Sequence, residues 1–358
     1  MSTTKELTKI FSLSQDWVNL ISERRSYIMG IATIMIVLFH ASSKQTLGPF
    51  HYGIHSFFWL GVEIFLFLSG FGMHYALSKT PQPALASFYK KRVLRLMPTC
   101  IIFGIVLLPL WYYGAPYLYQ KFSISFFLAF IGLDVWYIRT QLIFYLLTPF
   151  FHALLTYKKQ ATVIVLFATS VCLLLSSKAS PFYLNFSEFV SASTIVWSIN
   201  RLPAFLIGFY TAMHLKGTWQ RKNAYAYTLL SLLVAGVYCT ARLVITYCPH
   251  LLNSASTETF IQLCASNDIL FFTWPCFCML IAQSQNIMPT KMVKSIEWMG
   301  KHSLEIFLTH AAIFPFCRTM CYFNFPRFLL ATAASIILAV LLKRVVDYIV
   351  RWLGFHNA

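Results

Sequence analysis

Charged residues are scarce in this chain, and acidic residues are the scarcest. Asp and Glu together number 11 against 28 Lys and Arg in 358 residues, so that 11% of the residues are charged and 58% are hydrophobic. A soluble domain carries about 25% charged residues. Apolar runs of about 20 residues instead recur from residue 27 to the C-terminus, which is typical of a helical membrane protein. A membrane β-barrel would show alternating segments of about 10 residues.

Three further features are missing from the sequence. None of the nine cysteines forms the paired CxxC motifs of a zinc site, so no metal is expected. Residues 1–26 are polar and mixed, so no cleavable signal peptide is expected there. There is no internal repeat. The net charge of +17 would suggest nucleic acid in a soluble protein, but the positive-inside rule explains it better in a membrane protein, and no nucleic-acid partner is expected.

Hydropathy predicts an all-α fold with about ten transmembrane helices. The spans are 27–47, 54–78, 97–113, 138–157, 161–177, 202–215, 226–247, 268–285, 303–318 and 327–344. If both termini are cytoplasmic, most of the Lys and Arg residues fall on the cytoplasmic side, as the positive-inside rule requires. Residues 1–26 are then a cytoplasmic segment, residues 27–358 form one membrane domain, and residues 122–137 are an outer interfacial or re-entrant segment.

An ionisable side chain lies inside each of the first two apolar runs. His40 ends the run Tyr27-IMGIATIMIVLF-His40, and Glu63 lies in Ile54-HSFFWLGV-Glu63-IFLFLSG. Such groups are costly in hydrocarbon and are by default functional. Helix rise puts His40 about 20 Å from the inner boundary and Glu63 about 13 Å from the outer one, which are similar depths in a core of about 30 Å. We therefore expect Glu63 to orient His40 as a catalytic base, although a polar pair that only holds two helices together is an alternative.

A basic cluster follows the second run, in Phe88-YKKRVLRLMP. Arg92 and Arg95 are three residues apart and would share a helix face. Arg is suited to bidentate phosphate contacts, and coenzyme A presents a 3′-phosphate and a diphosphate. The alternative is an ordinary cytoplasmic loop that touches lipid phosphates. Arg25, at the start of the first span, either holds an anion at the inner mouth or extends to the headgroups.

Three other side chains are candidates for substrate contact. His310 lies about 10 Å into the ninth span, where it contacts substrate or is a core histidine bonded to a neighbouring helix. Trp136 and Tyr137 suit the headgroup zone on the outer side.

These stretches together resemble the acyltransferase 3 family, polytopic O-acyltransferases that modify cell-surface sugars. The resemblance implies a ten-helix membrane domain in the inner membrane of a bacterial cell. It implies His40 as the essential histidine, Glu63 as the acidic position and Arg92 with Arg95 as the basic motif for acyl-CoA. Many members carry Arg where this chain has Met29, and Arg25 could substitute for it. An acidic residue often stands at the position of Gln141. The matching stretches are Arg25-SYIMGIATIMIVLFH, Gly61-VEIFLFLSGF, Phe88-YKKRVLRLMP, Trp136-Tyr137 with Tyr145 and Pro149, Arg201-LPAFLIGFY and Gly300-KHSLEIFLTH.

The resulting hypothesis is transfer of an acyl group, acetyl in particular, from cytoplasmic acyl-CoA to a hydroxyl of a cell-surface or lipid-linked polysaccharide. His40 would act as general base or as transient acyl acceptor. The outer segments 114–137 and 178–201, with Trp136 and Tyr137, would bind the glycan. The alternative is a proton-coupled transporter or flippase of an anionic or lipid-linked substrate, in which buried His and Glu relay protons. Transporters often contain repeated halves, and the missing repeat counts against that alternative.

Overall fold

The chain folds into packed α-helices. A computed structural model describes residues 17–41, 57–78, 85–114, 136–157, 192–214, 221–251, 272–320 and 324–352, and the single residues 261 and 270. These ranges contain no β-strand. The helices are α1 Trp17–Glu23, α2 Arg25–Ala41, α3 Gly61–Ser78, α4 Leu85–Gly114, α5 Trp136–Tyr157, α6 Ala192–His214, α7 Arg221–Tyr247, α8 Trp274–Ser284, α9 Thr290–Lys301, α10 Ser303–Met320 and α11 Phe325–Trp352, with a short 3-10 helix at Pro249–Leu251.

Nine of the ten predicted spans overlap a helix of this model, and the tenth, 161–177, lies outside the described residues. Among those residues, three segments are long and apolar enough to cross a membrane: Trp136–Thr156, Ala226–Ile245 and Phe325–Trp352. Arg25–His40 and Ser303–Phe314 are apolar but shorter. The all-α membrane character is thus established, whereas the number ten remains a prediction.

The outer surface of these helices is apolar. Leu229 and Leu330 are each 71% exposed and Ile337 is 60% exposed. Of the three long apolar segments, only 22 to 39% of each span window is buried inside the protein. Exposed apolar surface on this scale is unfavourable in water and marks a contact surface, here with lipid.

Glycines let two helix pairs approach closely. A Cβ on Gly208 of α6 would overlap the Phe67 carbonyl of α3, and one on Gly70 would overlap the Phe205 carbonyl in return. Small residues at such crossings are typical of membrane helices, which associate through close van der Waals packing.

The same reciprocal arrangement joins α2 to α9, where Gly30 meets the Ile296 carbonyl and Gly300 meets that of Ser26. Gly30 therefore allows close packing of α2 against α9. Through this contact the start of α10, which follows α9 directly, is fixed beside the start of α2.

α6 is longer than the predicted span 202–215. It begins at Ala192, so residues 192–201 of the predicted outer segment 178–201 are helical. A buried hydrogen bond between the Thr140 and Ser198 hydroxyls, 2.8 Å apart, anchors this turn of α6 to α5. As a result Arg201 lies within a helix and is only 5% exposed.

Candidate active site

Residues from seven helices line a cavity of about 480 Å³, within the usual range for ligand pockets. Four cations line it: Arg25 of α2, Arg95 of α4, Lys301 at the end of α9 and Lys343 of α11. One carboxylate, Glu305, also lines it and lies 3.7 Å from the Lys343 ammonium. We call this cavity the basic pocket. Its excess of positive charge suits a ligand that carries several negative charges.

The first turn of α10 adds to this positive potential. Ser303 and Leu304, its first two residues, line the basic pocket next to Lys301. The amide groups of a helix N-terminus lack partners within the helix and carry a partial positive charge, which favours an anion nearby.

Arg25 lies inside this pocket, as one of its two predicted roles requires. Its guanidinium packs directly against Gly72 of α3, where a Cβ would overlap it. Met29, one turn further along α2, also lines the pocket. Arg25 and Met29 thus present the same face of α2 to the same cavity.

Arg92 and Arg95 lie on one continuous helix, as predicted, but they differ in position. Arg95 lines the basic pocket, whereas Arg92 is not among its described lining residues and its guanidinium lies 5.5 Å from the centre of the Phe88 ring. The Arg92 Nε is buried without a hydrogen-bond partner among the described residues. Burial lowers the pKa of this guanidinium, Tyr145 opposes the change, and the neighbouring charge of Arg95 adds to it. A partly desolvated cation gains more free energy from a bound anion than a fully hydrated cation does.

A chain of hydrogen bonds crosses the basic pocket. The Tyr137 hydroxyl donates to the Gln141 side-chain oxygen at 3.4 Å, and the Gln141 amide donates to the Ser69 hydroxyl at 2.6 Å. All three residues line the pocket. Tyr137, expected among the outer glycan contacts, therefore lies in the same cavity as Arg25 and Arg95. Gln141, which stands at a position that is often acidic, supplies both a donor and an acceptor here.

His40 is hydrogen-bonded to His310. The His310 Nδ1 lies 2.8 Å from the Ile306 carbonyl oxygen and must carry the proton in order to donate to it. The His310 Nε2 is then an acceptor, 3.2 Å from the His40 Nδ1. The His40 Nδ1 also lies 2.9 Å from the Ile36 carbonyl and donates to both acceptors. This tautomer puts the lone pair of His40 on Nε2, which is the form of imidazole that accepts a proton.

Glu63 is paired with Arg201 rather than with a histidine. The Arg201 Nε lies 3.5 Å from the Glu63 Oε1, and both side chains are at most 6% exposed. Gly61 packs against Ile36, so Glu63, in antiparallel α3, is about 10 Å from His40 along the helix axes.

This geometry corrects the expectation that Glu63 orients His40. The predicted depth of Glu63 counts a continuous helix from Ile54, but a turn at residues 59 and 60 precedes α3, which begins at Gly61. His310, expected to contact substrate or to bond a neighbouring helix, is the residue that holds the His40 ring.

Trp136 belongs to the same cluster as the Glu63 ion pair. The Arg201 guanidinium lies 4.7 Å from the Trp136 ring centre and 4.9 Å from that of Trp59, so it is held between two indoles. Cation–π contacts of this kind favour a buried guanidinium. Trp136 therefore supports Arg201, in addition to the glycan contact predicted for it.

A second, narrow cavity lies between the basic pocket and the histidines. Phe65, Ser303 and Phe307 line both cavities, and His310 lines the second. The Phe307 ring lies 5.5 Å from the His310 ring. Two phenylalanines thus lie between the pocket that holds the cations and the imidazole pair.

Sequence reasoning missed several residues of this site. The sequence assigns no role in the site to Lys301, Lys343 or Glu305. The aromatic residues Phe65 and Phe307 give no signal among the 34 phenylalanines of the chain. The spacing of Glu305 and His310 on one helix, in a segment with few other polar groups, is the one signal that could have placed α10 at the site.

Comparisons with curated proteins and with solved structures found no match. A family model described as an acyltransferase domain, Acyl_transf_3, matches residues 27–344. This match runs from the start of α2 into α11 and includes every residue of the basic pocket except Arg25 and Ser26. The chain therefore belongs to the acyltransferase 3 family and is a membrane acyltransferase.

Proposed function

We propose that the protein is an O-acyltransferase that transfers an acetyl group from cytoplasmic acyl-CoA to a hydroxyl of a cell-surface or lipid-linked polysaccharide. It would act in the inner membrane of a bacterial cell, as a multi-pass protein with both termini in the cytoplasm. The observation that supports the CoA donor most directly is the basic pocket, separated from the imidazole pair by two phenylalanines.

The phosphates of coenzyme A match the charges of this pocket. Arg25, Arg95, Lys301 and Lys343 would hold the 3′-phosphate and the diphosphate, with Arg as the bidentate partner. All four cations belong to segments that the charge bias assigns to the cytoplasm, where acyl-CoA is made. Arg92, one turn from Arg95 and partly desolvated, would add a further contact at the mouth.

The thioester would extend past Phe65 and Phe307 towards the histidines. As the acceptor hydroxyl attacks the thioester carbonyl, His40 Nε2 takes the hydroxyl proton. The carbon–sulfur bond then breaks, and the departing thiolate of coenzyme A receives that proton from His40. His310 stabilises the intervening imidazolium by accepting the Nδ1 hydrogen bond, and it keeps the ring in the reactive tautomer.

General-base catalysis suits the order of the two histidines better than acyl transfer onto His40. His310 lines the narrow cavity, whereas His40 is bonded to His310 and is not among the described lining residues of either cavity. His40 is thus better placed for the acceptor hydroxyl than for the thioester. The acceptor contacts predicted in 114–135 and 178–191 lie outside the described side chains.

Membranes that contain the protein, incubated with [14C]acetyl-CoA and surface polysaccharide, test the proposal. We expect label in the polysaccharide with the wild type and none with His40→Ala, since the proton acceptor is lost. His250→Ala, a change at an exposed histidine of the short 3-10 helix, is the matched control and should retain activity. Transfer by His40→Ala at the wild-type rate would refute the role of His40. Export of unlabelled substrate without acyl transfer would favour the transporter.

The donor site is tested by Arg95→Gln. A hydrogen bond to a charged group contributes about 1.5–3 kcal/mol, so the KM for acetyl-CoA should rise about 10- to 100-fold. Arg327→Gln, a change at an exposed arginine at the start of α11, is the control. Comparison with 3′-dephospho-CoA identifies the phosphate that each cation binds, because a cation that binds the 3′-phosphate should lose its effect with that analogue. An unchanged KM in Arg95→Gln would contradict the phosphate contact.

A further inference from the structure

The narrow cavity between the basic pocket and the histidines is closed by aromatic rings. Nowhere is it wide enough for a water molecule. Phe65 and Phe307 line both this cavity and the pocket. The Tyr137 ring lies 4.9 Å from the Phe307 ring and 6.4 Å from the Phe65 ring, and so supports both. We call Phe65 and Phe307 the aromatic partition.

The far wall of the cavity is apolar and rigid. It is formed by Thr33, Ile36 and Val37 of α2, which are 2 to 6% exposed. The β-branched side chains of these residues have few alternative rotamers in a helix. His40 continues the same helix face one turn further on. An acyl group that passes the partition is thus guided towards the imidazole pair, with little room for the wall to yield.

The closed packing limits the length of the acyl group. Since no part of the cavity admits a water molecule, even an acetyl group requires one ring of the partition to turn aside. Each further methylene requires a larger displacement of the same rings against the rigid wall of α2, and overpacking of this kind is unfavourable. A short acyl group is therefore favoured over a long one.

Building on the proposed function, we propose that Phe65 and Phe307 select the acyl group and favour acetyl over longer acyl chains. Each methylene that a hydrophobic site cannot accommodate changes kcat/KM by about 10- to 200-fold. The wild type should therefore use acetyl-CoA at least about 100-fold better than butyryl-CoA.

The test compares kcat/KM for acetyl-, propionyl- and butyryl-CoA in each preparation. Phe65→Leu removes three carbon atoms from the partition and should raise the butyryl-to-acetyl ratio at least about tenfold. Phe71→Leu is the matched control. It is the same change on the same helix, at a buried ring that is not among the described lining of either cavity, and it should leave the ratio unchanged. A ratio within one preparation does not depend on how much of the protein is folded.

Two further variants keep the test decisive if Phe65→Leu folds poorly. Phe307→Leu should widen the range of donors in the same direction. Phe65→Trp should lower acetyl transfer without admitting butyryl. A wild type that transfers butyryl as fast as acetyl, or leucine variants with an unchanged ratio, would overturn the partition and leave the proposed function intact. A wild type that transfers no acyl group from any acyl-CoA would overturn the proposed function as well.

Discussion

The hydrogen bond from His40 to His310 makes a quantitative prediction. In His310→Leu, the His40 Nδ1–H loses an acceptor that lies 3.2 Å away, in a position where His310 is fully buried and water cannot replace it. The Ile36 carbonyl, 2.9 Å from the same Nδ1, remains as an acceptor, so the loss is that of one hydrogen bond to the charged ring, about 1.5–3 kcal/mol. If that cost falls on the imidazolium formed in the transition state, kcat should drop about 10- to 100-fold.

The assay is the initial rate of [14C]acetyl transfer to polysaccharide at varied acetyl-CoA, with the amount of folded protein measured in each membrane preparation. The KM for acetyl-CoA should stay near the wild-type value in His310→Leu, because the cations of the basic pocket are unchanged. His310→Gln should recover part of the lost kcat, since its amide oxygen reaches close to the position of the imidazole Nε2. A wild-type kcat in His310→Leu, or a loss confined to KM, would refute the orienting role.

Three further predictions follow from the packing. Gly72→Ala should raise the KM for acetyl-CoA severalfold with little change in kcat, because the new methyl group displaces the Arg25 guanidinium from the pocket. An unaltered KM would exclude that guanidinium from donor binding. Gly208→Ala should lower the unfolding free energy by about 1–3 kcal/mol, because the new methyl group overlaps a facing carbonyl of α3. The control Gly236→Ala, with open space around it, should be neutral or stabilising by up to about 1 kcal/mol. Equal melting temperatures of the two variants in detergent would contradict the close approach of α6 to α3. Glu63→Gln should destabilise the fold by about 3 kcal/mol, because it leaves a buried guanidinium without its counter-charge; an unchanged melting temperature would show that the ion pair is dispensable.

The sequence predicts helices well here because lipid requires every backbone polar group to be paired within its own segment. The length of the apolar runs therefore predicts nine spans that each overlap a helix of the structure. The charge bias identifies the segments whose cations meet in the basic pocket. The ionisable residues His40 and Glu63 are also identified by their cost in an apolar run, and both are engaged in polar contacts in the structure.

What the sequence does not specify is which helices are neighbours. His40 could bond any polar group at its depth, and only the contact between α2 and α10 selects His310 over Glu63. The position of Tyr137 is misjudged for a similar reason, since an aromatic residue near the end of a span suits either the headgroup zone or an internal cavity. Lys301 lines the basic pocket because glycines bring α9 close to α2, and hydropathy does not reveal that contact.

The basic pocket joins the first and last long helices of the described chain, because Arg25 comes from α2 and Lys343 from α11. During synthesis the ribosome releases these two residues far apart in time. A nascent chain that has already inserted the preceding helices still lacks one wall of the proposed donor site, so thioester chemistry would begin only after α11 has been made. Premature termination before α11 should accordingly yield an inert membrane fragment rather than an unregulated consumer of acyl-CoA.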